Sequence, residues 1–327
     1  SIDFVLLTHA HIDHSGLLPK LTRAGFKGPI HATAATVDLL GVMLPDSAHI
    51  QESEARRSAK RFRGKRPMEP IYALQDAREC LTQANSVAYD QEFSPHATVR
   101  CRFRDAGHIL GSAIIEVWVT EHGRATKLVF SGDLGQPGRP ILRDPTLIEE
   151  TDILVVESTY GDRRHLDLAA TEDEMIAIVE KTLYERGGNV IMPAFAVGRT
   201  QQVIYLLHRL ACEGRLRPPK VFVDSPMATE ATRITREHLE LFDEEARRLA
   251  GWQAQGKDIP YLRFTASVEE SMALNRIRSG AIVISASGMC DAGRIRHHLR
   301  HNLPRKECSV LMPGFQAQRT LGRRLVD

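Results

Sequence analysis

Cysteine is scarce and scattered in this 327-residue chain, which has five cysteines and no CxxC pair. An odd number of isolated cysteines argues against a disulfide framework or a zinc ribbon and favours a reducing, cytoplasmic compartment. No signal peptide and no apolar run of 18 residues are visible, so the sequence predicts a protein without a membrane partner.

An excess of charge of one sign is also lacking, because 43 basic and 41 acidic side chains leave a formal net charge of +2. Net charge therefore says little about partners. Basic residues do cluster from Arg56 to Arg66, which fits either a solvated helix face or a phosphate-contacting patch. Aromatic residues make up only 6% of the chain, whereas the 43% hydrophobic content is enough for a large core in two domains.

The most informative feature follows the first apolar run. Phe4–Leu7 predicts a buried strand, and four candidate metal ligands come directly after it: His9, His11, Asp13 and His14. A turn at a strand end can direct such closely spaced side chains at one point. Because neutral imidazole and carboxylate oxygen are ligands that catalytic zinc prefers, this spacing predicts a metal site.

The pattern of predicted elements changes along the chain. Up to about residue 160, strands alternate with helices and hairpins, including a helix over 34–60 that is broken near Pro45 and a buried strand over 152–156. From about residue 165, repeated βα units predict a doubly wound parallel sheet. Ligands bind such sheets at the carboxyl ends of the strands. Those ends carry small, polar and glycine-containing turns, which fit phosphate binding at helix starts or ordinary turn chemistry.

The metal-ligand motif resembles that of the metallo-β-lactamase superfamily. Gly107-His108 and Ser131-Gly132-Asp133 each follow a predicted strand and resemble the later metal motifs of that superfamily. The stretch from Val155 to Arg163 is similar to the first signature of one branch, the β-CASP nucleases. This branch includes the endonuclease of mRNA 3′-end processing, ribonuclease J and single-chain bacterial RNA-processing enzymes. Further matches lie at 193–199, 223–228 and 287–295. The resemblance covers essentially the whole chain.

The resemblance implies an α/β fold: a metallo-β-lactamase αββα sandwich with an inserted β-CASP domain built on a doubly wound parallel sheet. The implied domains are a metallo-β-lactamase domain at 1–164, a β-CASP domain at 165–313, and the start of a return to the first domain at 314–327. Relatives carry strands before the point at which this chain begins and continue past its end. We therefore expect a chain that is truncated at both ends.

The resemblance also implies two Zn²⁺ ions. The first would be held by His9, His11 and His108, and the second by Asp13 and His14, while Asp133 would bridge both. A hydroxide between the ions is the expected nucleophile, since zinc lowers the pKa of bound water to about 7.

The resemblance implies three catalytic residues. Two are the metal ligands Asp13 and Asp133, and the third is Glu157. In the family, this acid pairs with a histidine that helps to protonate the leaving oxygen. That histidine, and the one that completes the second zinc site, are expected beyond residue 327, so the activity of this chain by itself is left open. A predicted helix carries three further histidines, His297, His298 and His301. They are rejected as substitutes for the missing histidines, in part because the adjacent positions 297 and 298 point about 100° apart on a helix.

The leading hypothesis is a zinc-dependent ribonuclease that hydrolyses single-stranded RNA held between the two domains, mainly through backbone contacts. The expected substrate contacts are Arg199, Ser225, Ser287 and Arg294. Arg319 stands where the family segment usually has glycine, and it adds a phosphate contact or is a neutral surface change.

Other functions remain open to the sequence. The alternatives are a small-molecule hydrolase such as a thioesterase or lactonase, an inactive RNA-binding scaffold subunit, and a DNA-repair nuclease. The βα-repeated region argues against the first alternative, and the retained metal residues argue against the second. A homodimer is one oligomeric state that the sequence permits.

Overall fold

The structure, a computed structural model, describes residues 2–61, 69–162, 167–254 and 261–327. Contacts divide the chain into two compact units, Ser1–Thr159 and Tyr160–Asp327. The basic cluster is described only in part, because its members at positions 63, 65 and 66 lie outside the described residues. Among the described helices, none combines the length and apolar character needed to cross a membrane.

The first unit contains two sheets. One is parallel and has the order β1 (Val5–Leu6), β2 (Ile30–Thr33), β3 (Ala84–Val87). The other has the order β4 (Glu92–His96), β5 (Val99–Asp105), β6 (Ala113–Glu121), β7 (Arg124–Phe130), β8 (Ile153–Val155), and only its β7–β8 pair is parallel. The helices of this unit are α1 (Ile12–Ser15), α2 (Leu18–Arg23), α3 (Ala34–Arg61) and α4 (Leu74–Leu81).

The two sheets pack face to face through the alternating side chains of their strands. Along β5, Cys101 and Phe103 are buried in a cluster with Ile115 of β6, and Leu6 and Val87 from the parallel sheet pack against that cluster. The intervening arginines of β5 point to the opposite face, as the two-residue period of a strand requires. This mixed α/β arrangement agrees with the fold class that the sequence predicts.

The predicted break in the long helix is wrong. The helix α3 runs from Ala34 to Arg61 with Pro45 inside it. Its buried residues Leu40, Leu44 and Ala48 recur at a spacing of four on both sides of the proline. Burial of this continuous stripe outweighs the backbone hydrogen bond that proline removes.

The strand predicted over 152–156 exists as β8, but the prediction that it is buried is wrong. Ile153, Leu154 and Val155 are each about half exposed, because β8 lies at the edge of its sheet and pairs only with β7. A short apolar run has the same sequence pattern in an exposed edge strand and in a buried central strand. The pattern alone therefore does not distinguish them. The strands β2, β3 and β4 and the helix α4 have no clear signal in the sequence.

The second unit is built around one parallel sheet with the order β11-β10-β12-β9-β13. Its strands are β9 (Val190–Pro193), β10 (Lys220–Val223), β11 (Leu262–Phe264), β12 (Ala281–Ser285) and β13 (Ser309–Val310). Its helices are α5 (Leu168–Glu180), α6 (Arg199–Cys212), α7 (Pro226–Glu237), α8 (Glu244–Ala254), α9 (Val268–Leu274), α10 (Ile295–Asn302) and α11 (Leu321–Val326). The predicted doubly wound parallel sheet is confirmed.

Alternate residues of the central strands enter two separate cores. Met192 of β9 packs in a cluster with Val179 of α5 and Leu207 of α6. Its neighbour Ile191 packs on the other face of the sheet, in a cluster with Leu299 of α10. Helices therefore cover both faces of the sheet, which leaves the carboxyl ends of the strands as the edge where the turns carry polar and charged residues.

Arg319 occupies a backbone conformation that favours glycine. Its φ is +70°, and its side chain is exposed. Arg319→Gly should raise the free energy of unfolding by up to about 1 kcal/mol. The left-handed conformation costs roughly 1–2 kcal/mol when a Cβ is present, and the freedom of glycine in the unfolded chain offsets part of that gain. Urea unfolding measures the change. Arg319→Ala, which keeps the Cβ, is the control, and equal stability of the two variants would contradict this origin.

His31 introduces a pH dependence into the first unit. Its ring is buried against Phe4 and Phe93, and neither ring nitrogen has a hydrogen-bond partner. Burial lowers the pKa of His31, so below about pH 6.5 the unfolded chain takes up a proton that the folded chain excludes, and stability falls as pH falls. His31→Phe should make unfolding free energy decline less steeply between pH 7 and pH 5. The exposed His96, replaced in the same way, provides the control slope; coinciding slopes for wild type and His31→Phe would refute this assignment.

Candidate metal centre

The HxHxDH motif leaves β1 and turns at once into α1. The backbone N–H of Leu7 donates to His31 O of β2 at 2.9 Å, and Thr8 O accepts from the N–H of Ala113 at 2.8 Å, so the end of β1 is tied to both sheets. The hydroxyl of Ser15 then donates to Ala10 O at 2.9 Å and to His11 O at 3.0 Å. These bonds close the turn and fix the direction of the histidines.

Two later loops of the second sheet bring His108 and Asp133 to the same place. His108 follows β5, and its backbone N–H donates to the Ser112 hydroxyl at 3.0 Å. Asp133 follows β7, and the loops meet because Gly135 leaves room for backbone: a Cβ there would lie 1.9 Å from Gly107 O. Only glycine permits this approach.

Four side chains converge between these loops: His9, His11, His108 and Asp133, with ligand atoms all within 4.8 Å of one another. His11 Nδ1 lies 3.2 Å from His9 Nε2 and 3.2 Å from His108 Nε2. Asp133 Oδ2 lies 3.8 Å from His9 Nε2 and 3.5 Å from His108 Nε2. Three imidazoles and one carboxylate oxygen thus surround a common point.

The second oxygen of Asp133 faces a different group. Asp133 Oδ1 lies 3.3 Å from His14 Nε2, and His14 Nε2 lies 3.7 Å from Asp13 Oδ2. Asp13 is 74% exposed, whereas His9 is fully buried. The motif therefore divides between an inner group that includes His9 and His11 and an outer group that holds Asp13 and His14, with Asp133 beside both.

Burial holds the inner histidines in the neutral form. The pKa of His9 falls to about 2, first because its ring is buried and then because His11, His14 and His108 surround it. Burial and the neighbouring His108 lower the pKa of His11 to about 4. Burial raises the pKa of Asp133. Neutral imidazole is the form that binds metal, so the lowered pKa values of His9 and His11 prepare the site for a cation.

The donor set fits a divalent metal ion. Ligands arranged tetrahedrally at about 2.0–2.1 Å from a zinc ion lie about 3.3 Å apart, and four of the six separations between the ligand atoms here lie between 3.2 and 3.8 Å. A cation would also neutralise the carboxylate that burial disfavours in its charged form. His9, His11, His108 and Asp133 are accordingly the residues that could hold one metal ion.

Glu157 is fixed to the loop that carries Asp133. Its Oε1 accepts from the backbone N–H of Leu134 at 3.1 Å, and its Oε2 accepts from that of Thr159 at 3.1 Å. Burial by itself would raise the pKa of Glu157, but these backbone hydrogen bonds outweigh it and lower the pKa. The carboxylate is therefore ionised near neutral pH.

The candidate substrate residues lie at the carboxyl ends of strands in the second unit. Arg199 begins α6 after β9, and Ser287 follows β12. Ser225 caps α7, because its hydroxyl oxygen accepts from the N–H of Ala228 at 3.2 Å, and it is largely buried. Arg294 donates to Asp224 Oδ1 at 2.7 Å and is 24% exposed.

The sequence reasoning missed a buried network around Asp224. The carboxylate accepts hydrogen bonds from Thr265, Ser271 and Arg294 and lies 2.6 Å from His298 Nε2. Burial would raise the pKa of Asp224, but these four hydrogen bonds lower it well below its usual range. The sequence feature that could have indicated this network is an aspartate at the end of a predicted strand, together with a histidine on a later predicted helix. His298, rejected as a metal ligand, has this structural partner instead.

Comparisons with known proteins match both units. The model of the metallo-beta-lactamase superfamily matches residues 1–182, and that of the Beta-Casp domain matches residues 200–325. Ribonuclease TTHA0252 of Thermus thermophilus is 36% identical over 329 residues, which cover 99% of this chain and 70% of that protein. Transcription termination factor FttA of Methanocaldococcus jannaschii is 29% identical, and the RNase J-like protein of the same organism is 27% identical.

The coverage of these relatives is uneven. The alignment with the termination factor covers 99% of this chain but 49% of that protein, whereas the RNase J-like protein is covered to 70%. The chain therefore spans about half the length of the archaeal termination factors that it matches.

Removing the central imidazole tests the metal centre. His11→Ala should weaken zinc binding at least about 100-fold, because losing an outer hydrogen-bond partner of a ligand already costs about 10- to 100-fold. Zinc retained after gel filtration, measured by mass spectrometry, gives the result. The control is His301→Ala, which removes an exposed histidine of α10. Equal zinc content in wild type and His11→Ala would show that these side chains hold no metal.

Proposed function

Because the chain belongs to the metallo-β-lactamase superfamily and its β-CASP branch, we propose that it is a zinc-dependent ribonuclease acting on single-stranded RNA. The observation that carries the proposal is the convergence of three imidazoles with Asp133 in a chain that also has a β-CASP domain. The similar proteins named as ribonucleases support RNA as the substrate.

We assign two zinc ions to the centre, one with the inner group of ligands and one with Asp13 and His14. The two oxygens of Asp133 face these two groups, which supports its role as the shared ligand. The chemistry that zinc supplies when bound is a water of lowered pKa and stabilisation of charge on a phosphoryl oxygen.

The side chains of the centre orient the reacting groups. The buried histidines stay neutral and fixed, so they keep their direction when an anionic phosphodiester approaches. Glu157 remains ionised and holds the amides of Leu134 and Thr159, which keeps the Asp133 loop in place. Its pairing with a histidine that protonates the leaving oxygen is part of the proposal, as is the placement of RNA between the domains.

The substrate contacts are assigned to the turns of the β-CASP sheet. Arg294 is held by the buried Asp224 and its side chain is 24% exposed, which supports a contact with backbone phosphate. Arg199 and Ser287 lie at the same edge of the sheet, whereas the Ser225 hydroxyl is already engaged in capping α7. The homodimer and the cytoplasmic location stay predictions from the sequence.

Cleavage of end-labelled single-stranded RNA tests the function. We expect zinc-dependent cleavage of RNA, no cleavage of DNA of the same sequence, and loss of activity in Asp133→Asn. The matched control is Asp173→Asn, which changes an exposed carboxylate of α5 that pairs with Arg215. A folded, zinc-loaded chain that leaves RNA intact would refute an autonomous ribonuclease. Hydrolysis of thioester or lactone substrates instead would favour the small-molecule alternative.

A further inference from the structure

Two phenylalanines are unusually exposed in the second unit. Phe195 follows β9 and is 45% exposed, and Phe315 follows β13 and is 43% exposed. Tyr184 is also 36% exposed, and the guanidinium of Arg217 lies over its ring at 4.2 Å. Exposed aromatic rings beside polar turns offer flat faces on which a base can stack.

The ring of Phe195 is held in place from one side. A Cβ at Gly288 would lie 3.1 Å from the Phe195 ring, so the ring rests directly on the backbone of the Ser287–Gly288 turn. The carbonyl of Phe195 accepts hydrogen bonds from the N–H and the hydroxyl of Thr200, at 3.1 and 2.7 Å, where α6 begins. A ring fixed by its backbone and by a glycine beneath it can receive a flat ligand with little loss of conformational entropy.

The segment with Phe315 is attached to the same turn. Gln316 Nε2 donates to Gly288 O at 3.0 Å, and the N–H of Gly322 donates to Met289 O at 2.9 Å. Arg199 lies alongside, with its Nε 3.7 Å from a Cβ built on Gly314. The Phe195 ring and the segment that carries Phe315 therefore both contact one polar turn, and the ring of Phe315 lies 6.2 Å from the ring of Tyr160.

This combination fits one chemical class of ligand. A flat ring offers a stacking surface to an unpaired base, and a guanidinium together with the turn offers contacts to the adjoining phosphate. A base inside a duplex has both faces covered, so it cannot use such a surface.

We propose that Phe195 is a stacking platform for an unpaired base of single-stranded RNA, and that Phe315 contributes to the same subsite. This inference rests on the proposed function and adds a reason for its single-strand preference. It also changes the expectation that backbone contacts dominate recognition. Aromatic residues make up only 6% of the chain, but two of them are exposed in this unit.

Equilibrium binding of two matched strands tests the platform. The probes are a fluorescein-labelled decamer of adenylate and a decamer of the same length without bases, both with phosphorothioate linkages to slow cleavage, and fluorescence anisotropy reports binding to the full chain. Phe195→Leu should weaken binding of the adenylate strand about tenfold, because base–aromatic stacking accounts for that range. Binding of the strand without bases should stay within about twofold, and Phe195→Trp should keep the wild-type preference.

Tyr184→Leu provides the matched control, because it removes an exposed aromatic ring elsewhere in the same unit, and it should change neither affinity. The proposal is overturned by a Phe195→Leu variant that weakens both strands alike or neither, or by a wild-type chain with no preference for the strand that carries bases. Thermal unfolding of each variant shows whether it folds. If Phe195→Leu does not fold, the proposal is still tested by the preference of the wild-type chain for the strand with bases and by its retention in Phe195→Trp. Base preference without RNA cleavage would contradict the ribonuclease function and leave the platform standing.

Discussion

The structure of the first unit depends on holding three imidazoles and a carboxylate around one point. Nitrogen atoms only 3.2 Å apart are compatible only if the rings are neutral and fixed. Burial supplies the first condition by lowering the pKa of His9 and His11. Packing supplies the second, because the end of β1 is bonded to both sheets and the Gly107 and Gly135 backbones meet closely. The packing of the two sheets against each other therefore positions the side chains of the centre.

The second unit also contains a buried ionisable group, the carboxylate of Asp224. Asp224 is fully buried at a strand end, and four hydrogen-bonding side chains from three other elements keep it charged. A buried charge costs several kcal/mol unless it is paired, on the order of the stability of a whole domain. The same arrangement fixes Arg294 at the carboxyl edge of the sheet, so the interaction that stabilises the core also orders the edge where polar turns gather.

Local sequence patterns predicted the structure correctly where the pattern fits one type of structure. The repeated βα units are present as the sequence predicts, and two histidines of the HxHxDH motif lie in one cluster with His108 and Asp133. Patterns failed where burial decides the outcome. The proline in α3 is tolerated because a long apolar stripe packs on both sides of it, and β8 is exposed because it has one neighbour instead of two. Neither fact can be read from the local sequence.

The sequence by itself indicated a candidate metal centre, because imidazole and carboxylate side chains at this spacing after a strand have few other uses. It also determined the class of fold, since the period of the apolar residues sets the type of each element. The local pattern does not say where the more distant histidines lie: the family resemblance indicated His108, and only the tertiary structure turns His298 inward to Asp224. Only the tertiary structure left Phe195 open to solvent, because exposure depends on the neighbours that packing brings to a residue.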